Sequence, residues 1–127
     1  MRSSEKRRGS YLGTEIDEKW WRRYRRDGLL ARGIGEFWIE SSSLSFRRNL
    51  TDLPIVIPFV DMLDVKVGKW HSGKWAGGAL VVKIIWNKIG NRLSSGFVFS
   101  RDLRETETLV REILYHMRNA ENYKQQR

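Results

Sequence analysis

No cysteine occurs among the 127 residues, which excludes a disulfide framework and thiolate chemistry alike. Histidine occurs only twice, as His71 and His116, and neither has a His, Cys or carboxylate at a recognised ligand spacing, so no metal and no cofactor are expected. Proline is equally scarce, with one residue at 54 and one at 58. No apolar stretch approaches the 18 or so residues needed to cross a bilayer. The basic start, Met1-Arg-Ser-Ser-Glu-Lys-Arg-Arg8, is followed by no hydrophobic segment, so it does not read as a secretory signal. Acidic residues number 15 against 24 basic ones, giving a net charge of +9. Together these shortages predict a basic cytoplasmic domain without a transmembrane segment.

Apolar residues make up 40% of the chain and aromatics 12%, with six tryptophans among them. A disordered polycation would be far poorer in aromatics. The length suits one domain with tails. Its charge is uneven: residues 1–32 carry a net +5, residues 33–100 a net +3 and residues 101–127 a net +1. Such asymmetry points either to an anionic partner or to a solvated surface that maintains solubility.

Residues 1–12 lack periodicity and read as a flexible basic tail. A short helix is predicted over 14–27, with Thr14 as N-cap and Glu15 and Asp17 in its first turn. Ile16, Trp20 and Tyr24 would form its apolar stripe, Lys19, Arg22, Arg23, Arg25 and Arg26 its cationic face, and Asp27-Gly28 its stop. From Gly33 the period falls to two. Glu36–Glu40 and Leu44–Arg47 alternate about Ser41-Ser42-Ser43, a hairpin signal. The prolines of Leu53–Phe59 confine that segment to an edge strand or an extended connection. Leu63, Val65 and Val67 alternate with Asp64 and Lys66. A loop is expected over 68–78, a central strand over Leu80–Trp86, and a hairpin at Asn87–Asn91 in which Gly90 and Asn91 tolerate positive φ. Leu93–Phe99 alternates again. A C-terminal helix over 102–119 is capped by Asp102 and Glu105, carries Leu109, Val110, Ile113, Leu114 and Met117 as its stripe, and precedes a frayed tail over 120–127. Short turns between consecutive strands leave no room for parallel crossovers, so the fold class is α+β, mainly β, and antiparallel.

Gly35-Glu-Phe-Trp-Ile-Glu-Ser-Ser-Ser-Leu-Ser-Phe-Arg47 resembles the opening hairpin of GRAM and bacterial pleckstrin-homology-like (PH-like) domains. Ile57-Pro-Phe-Val-Asp-Met-Leu-Asp-Val-Lys-Val-Gly68 is similar to their third segment. Ile84-Ile-Trp86, Phe97-Val-Phe-Ser100 and the closing helix follow in the family's order, so the resemblance covers residues 33–119. It implies a seven-stranded split barrel of two near-orthogonal antiparallel sheets capped by the C-terminal helix, with the 14–27 helix as an addition. It also implies a protein that binds rather than catalyses. Phosphoinositide-binding members carry cations around the first hairpin turn. Here that turn is Ser41-Ser42-Ser43, so specific phosphoinositide binding at that site is not expected.

The residues give no enzymatic constellation. Asp61 and Asp64 flank or enter a strand as solvated acids do, Gly33-Ile-Gly35 precedes a strand and not a helix, and Gly73-Lys74 lacks the rest of a phosphate loop. Two clusters suit binding. One is the loop Lys69, Trp70, His71, Lys74 and Trp75, where cations and aromatics interleave. The alternative for its indoles is to fold back as a satellite core. The other is Arg22, Arg23, Arg25 and Arg26 of the N-terminal helix, for which simple solvation is the alternative. The expected function is a non-catalytic interaction module that engages a protein or its own copy. The rival is a nonspecific binder of anionic surfaces, either nucleic acid or acidic membrane.

Overall fold

The computed structural model describes residues 5–25, 29, 32–71, 74–75 and 77–125. Among these residues the strands run in the order β1 (Arg7–Ile16), β2 (Lys19–Arg23), β3 (Gly33–Ile39), β4 (Ser43–Arg48), β5 (Ile55–Pro58), β6 (Met62–Gly68), β7 (Trp70–His71), β8 (Lys74–Trp75), β9 (Val81–Lys88) and β10 (Asn91–Val98). A 3-10 turn, Phe59–Asp61, joins β5 to β6, and one helix, α1 (Leu103–Gln125), closes the chain. The main sheet is antiparallel, with strands ordered β5-β4-β3-β1-β10-β9-β6, while β2 pairs with β1 off that path and β7–β8 form a separate two-stranded unit.

The alternating segments become strands. Phe37 faces Phe46 and Ile39 faces Leu44 across β3–β4, which sets their apolar faces together. The segment containing both prolines is the sheet's edge: Pro54 precedes β5 and Pro58 ends it. β9 is central, flanked by β10 and β6. The core joins Tyr11, Phe37, Leu44, Phe46, Ile57, Phe59, Val82, Ile84, Trp86, Leu93 and Phe97 to Leu109 and Ile113 of α1. Val81 and Ile85 alternate with the core positions of β9 yet are also fully buried. The sheet is therefore covered on both faces at that strand.

The helix cap forms as expected, with one substitution in its logic. Asp102 Oδ1 accepts the amide of Arg104 at 2.9 Å. Glu105 does not reach back to Asp102 directly. Ser100 Oγ accepts the Asp102 amide at 3.0 Å and donates to Glu105 Oε1 at 2.6 Å, so a hydroxyl stands between the two members of the capping box.

Four expectations are corrected. Among the described residues of 14–27 there is no helix: they hold the end of β1, a two-residue turn at Asp17 and Glu18, and β2. Both turn residues have positive φ, 56° and 59°, as the tight hairpin turn matching strand twist requires. The supposed tail becomes strand from Arg7, because β1 is inserted between β3 and β10. The sheet does not close into a barrel; β5 and β6 are its two ends. Finally, α1 continues to Gln125, past the expected stop at 119. His116 therefore lies well inside the helix, and its ring stacks on Phe59 with centroids 4.7 Å apart.

Candidate functional site

The two sequence clusters have different fates. In the first, the segment expected as a loop contains the β7–β8 hairpin, in which Trp70 pairs with Trp75 and His71 with Lys74 along the backbone. Lys69 is exposed. The side chains of Trp70, Lys74 and Trp75 lie outside the described residues. His71 is not available to a partner, because its side chain is buried against the main sheet. Its Nε2 lies 2.9 Å from the carbonyl oxygen of Gly13, to which it donates. Its Nδ1 faces Glu15 Oε2 at 3.7 Å. Gly96 forms the floor of this seat: a Cβ there would come within 2.4 Å of the imidazole. Burial pushes the imidazole below its ordinary pKa and outweighs the attraction of the Glu15 carboxylate.

A polar core network lies on the other face of the same strands. Tyr11 Oη bonds Thr14 Oγ1 and donates to the Leu29 carbonyl at 2.6 Å. Thr14 Oγ1 and Ser95 Oγ are 2.7 Å apart, and Trp86 Nε1 donates to Ser95 Oγ at 3.0 Å. Desolvation raises the Tyr11 phenol well above its ordinary pKa, so it stays protonated and structural.

In the second cluster Arg22 and Arg25 are exposed, and the segment carrying them is the β2 side of a hairpin and not a helix. Glu15 pairs with Arg23 and Ile16 with Lys19, so one step along β1 corresponds to four along β2. Trp20, Trp21 and Arg22 thus form a three-residue excursion outside the ladder. That geometry explains why both indoles stay in solvent, 62% and 61% exposed. Their rings meet edge to face, with centroids 5.8 Å apart at 82°. Lys19, Arg22 and Arg25 flank them in the sequence, all exposed, and Arg22 reaches Asp17 at 3.2 Å. Arg23 is half-buried beside Gly13. Arg26 lies outside the described residues. The hairpin's turn is fixed to the sheet: the Asp17 amide donates to the Arg92 carbonyl at 2.9 Å, and Glu18 takes bonds from Lys66 at 2.6 Å and Arg92 at 2.9 Å. Those two cations hold the Glu18 carboxyl below its ordinary range.

The chain matches no family model and no curated protein. Its site is therefore defined by geometry alone. An open groove of about 670 Å³ runs past Arg8, Ser10, Leu12, Ile34, Ser100 and Arg101, and among the described residues neither carboxylate nor imidazole lines it. Among the described residues no three His, Cys, Asp or Glu side chains come together in a metal-binding arrangement.

The sequence placed Trp20 on the buried stripe of a helix, whereas the structure leaves it exposed on β2. A usable signal was present in the adjacent pair Trp20-Trp21. On a strand consecutive residues face opposite sides, so a strand over this pair must turn one of the two indoles away from any buried face.

Proposed function

We propose that this chain is a non-catalytic binding module that docks on an acidic membrane surface through the β1–β2 hairpin. The observation that carries the reading is the excursion Trp20-Trp21-Arg22, which projects two indoles into solvent among Lys19, Arg22 and Arg25. Indoles suit the membrane–water interface because they join a large apolar body to a polar N–H. Cations near an anionic leaflet add about 1 kcal/mol each. The perpendicular indoles favour lipid over single-stranded nucleic acid, since successive bases stack best on a run of open ring faces. Attraction here rests on diffuse charge. The Ser41-Ser42-Ser43 segment supplies no cation at the site used by phosphoinositide-binding PH-like domains. The PH-like resemblance of residues 33–119, with an antiparallel sheet followed by a C-terminal helix, supports a binding role in the same sense.

Co-sedimentation with phosphatidylserine-containing and purely phosphatidylcholine vesicles tests this, with gel shifts on single- and double-stranded oligonucleotides beside it. The protein should pellet with the acidic vesicles only. The double variant Trp20→Ala, Trp21→Ala should lose most of that binding while keeping the wild-type melting temperature, because neither indole is buried. Oligonucleotide binding without acidic-vesicle binding would overturn the assignment, and so would a double variant that binds vesicles like the wild type.

A further inference from the structure

We infer that β6 is a self-association edge, onto which a second copy of this chain adds its own β6 antiparallel about a two-fold axis at Val65. β6 ends the sheet: β9 occupies one side of it, and among the described residues no strand occupies the other. A free edge of seven residues is a ready template for another strand. This edge is also apolar, with Leu63 52% and Val67 48% exposed.

Its sequence is complementary to itself in one register. Centred on Val65, an antiparallel pairing sets Leu63 opposite Val67 and Asp64 opposite the second copy's Lys66, each twice by symmetry. Opposite charges facing across strands stabilise a pair, and like charges destabilise it. Moving the axis one residue toward either end sets Asp64 against Asp64, or Lys66 against Lys66. The charges therefore select a single register, where a purely apolar edge would leave it free to slip.

In the single chain Asp64 Oδ1 accepts the Val65 amide at 2.8 Å, which blunts the edge. On association the carboxylate turns to the second copy's Lys66, and the Val65 amide enters the ladder. Lys66 already donates to Glu18 at 2.6 Å, and its ammonium has three protons, enough to hold both carboxylates. A single shared strand buries little area, so the dimer is weak and concentration-dependent. This inference does not rest on the membrane-docking reading, which uses Trp20, Trp21 and the cations of the β1–β2 hairpin.

Sedimentation velocity over a rising concentration series tests it, using the full chain. The wild type should shift from monomer toward dimer. Asp64→Lys and Lys66→Asp should each weaken homodimerisation by about tenfold or more, because each sets like charges opposite at both symmetric positions. Mixed one to one, the two variants should associate, since every cross-strand pair in the heterodimer is again opposite in sign. The double variant carrying both exchanges should dimerise by itself, which keeps the test decisive if one single variant folds poorly. A wild type that stays monomeric throughout would sink the idea. So would single variants that dimerise like the wild type, or a folded mixture and double variant that both remain monomeric.

Discussion

Ile89 occupies a backbone conformation that its own side chain opposes. The β9–β10 hairpin pairs Lys88 with Asn91 and turns through Ile89 and Gly90, with φ of 48° and 81°. Such a two-residue turn fits the twist of the strands, and sequences usually place Asn or Asp before the glycine. A β-branched residue there brings its Cβ toward the following carbonyl, at a cost of about 1–2 kcal/mol. The side chain recovers little in return, since it stands almost wholly in solvent. Glu18 shares the left-handed conformation but has a reason for its place, because its carboxylate ties the β1–β2 turn to Lys66 and Arg92. Ile89→Asn should therefore stabilise the fold by about 1 kcal/mol. In urea unfolding the midpoint should rise with an unchanged slope, and a fall would mean that Ile89 contributes a contact worth more than its strain. The offset from the sequence expectation was one residue: positive φ fell on Ile89 and Gly90, not on Gly90 and Asn91. A β-branched residue is simply a poor advertisement for a tight turn.

At the scale of elements, the β7–β8 hairpin is fastened to the second face of the sheet by His71. Its imidazole is enclosed by Gly13 and Glu15 of β1, Gly96 of β10, Lys83 of β9 and Arg23 of β2. Burial, helped by the Lys83 and Arg23 cations, disfavours the imidazolium, and the Glu15 carboxylate opposes them only in part. With a folded pKa below the ordinary value near 6.5, neutral His71 adds stability in full above that pH. That contribution is lost progressively as the pH falls below 6.5 toward the folded value. Hydrogen exchange of the Trp70 and His71 amides should thus accelerate as the pH falls below about 6.5 relative to β9 amides, after correction for intrinsic rates. In His71→Gln the difference should flatten; an unchanged pH profile in that variant would remove His71 as the cause. How far such elements could be read from sequence followed from their periods. Period-two segments such as 36–47 were legible because only a strand buries Phe37, Ile39, Leu44 and Phe46 on one face. Ile16, Trp20 and Tyr24 were ambiguous, since a spacing of four lies close to the helix repeat and is also a multiple of two. The His71 seat was not legible at all. It depends on two glycines, at 13 and 96, that come together only when β1 pairs with β10.

For the whole molecule, the charge of +9 matters less than where cations stand without a compensating acid. Several are already engaged: Arg47 with Glu36, Lys66 and Arg92 with Glu18, and Arg7 near Glu105. The α1 end of the chain nearly balances, with Arg101, Arg104, Arg111 and Arg118 interspersed among Asp102, Glu105, Glu107, Glu112 and Glu121. The β1–β2 hairpin differs, because Lys19, Arg22 and Arg25 are all exposed and close in sequence to two exposed indoles, and Arg22 has an ion pair with Asp17. Two descriptions of acidic-vesicle binding then diverge. If the overall charge drives it, any three cations removed should matter equally. If the hairpin does, position decides. Replacing Lys19, Arg22 and Arg25 with Gln should weaken binding by about 100-fold at low salt, at roughly 1 kcal/mol per cation near the surface. Replacing Arg101, Arg104 and Arg111 with Gln removes the same charge and should change affinity only a few-fold. Salt should separate the contributions further, since screening shortens to about 10 Å at 0.1 M and spares the burial of indoles. The wild type should lose most, though not all, of its affinity as salt rises, leaving a residual due to Trp20 and Trp21. Equal losses from the two triple variants would return the charge to a general property of the surface and take the docking role away from the hairpin.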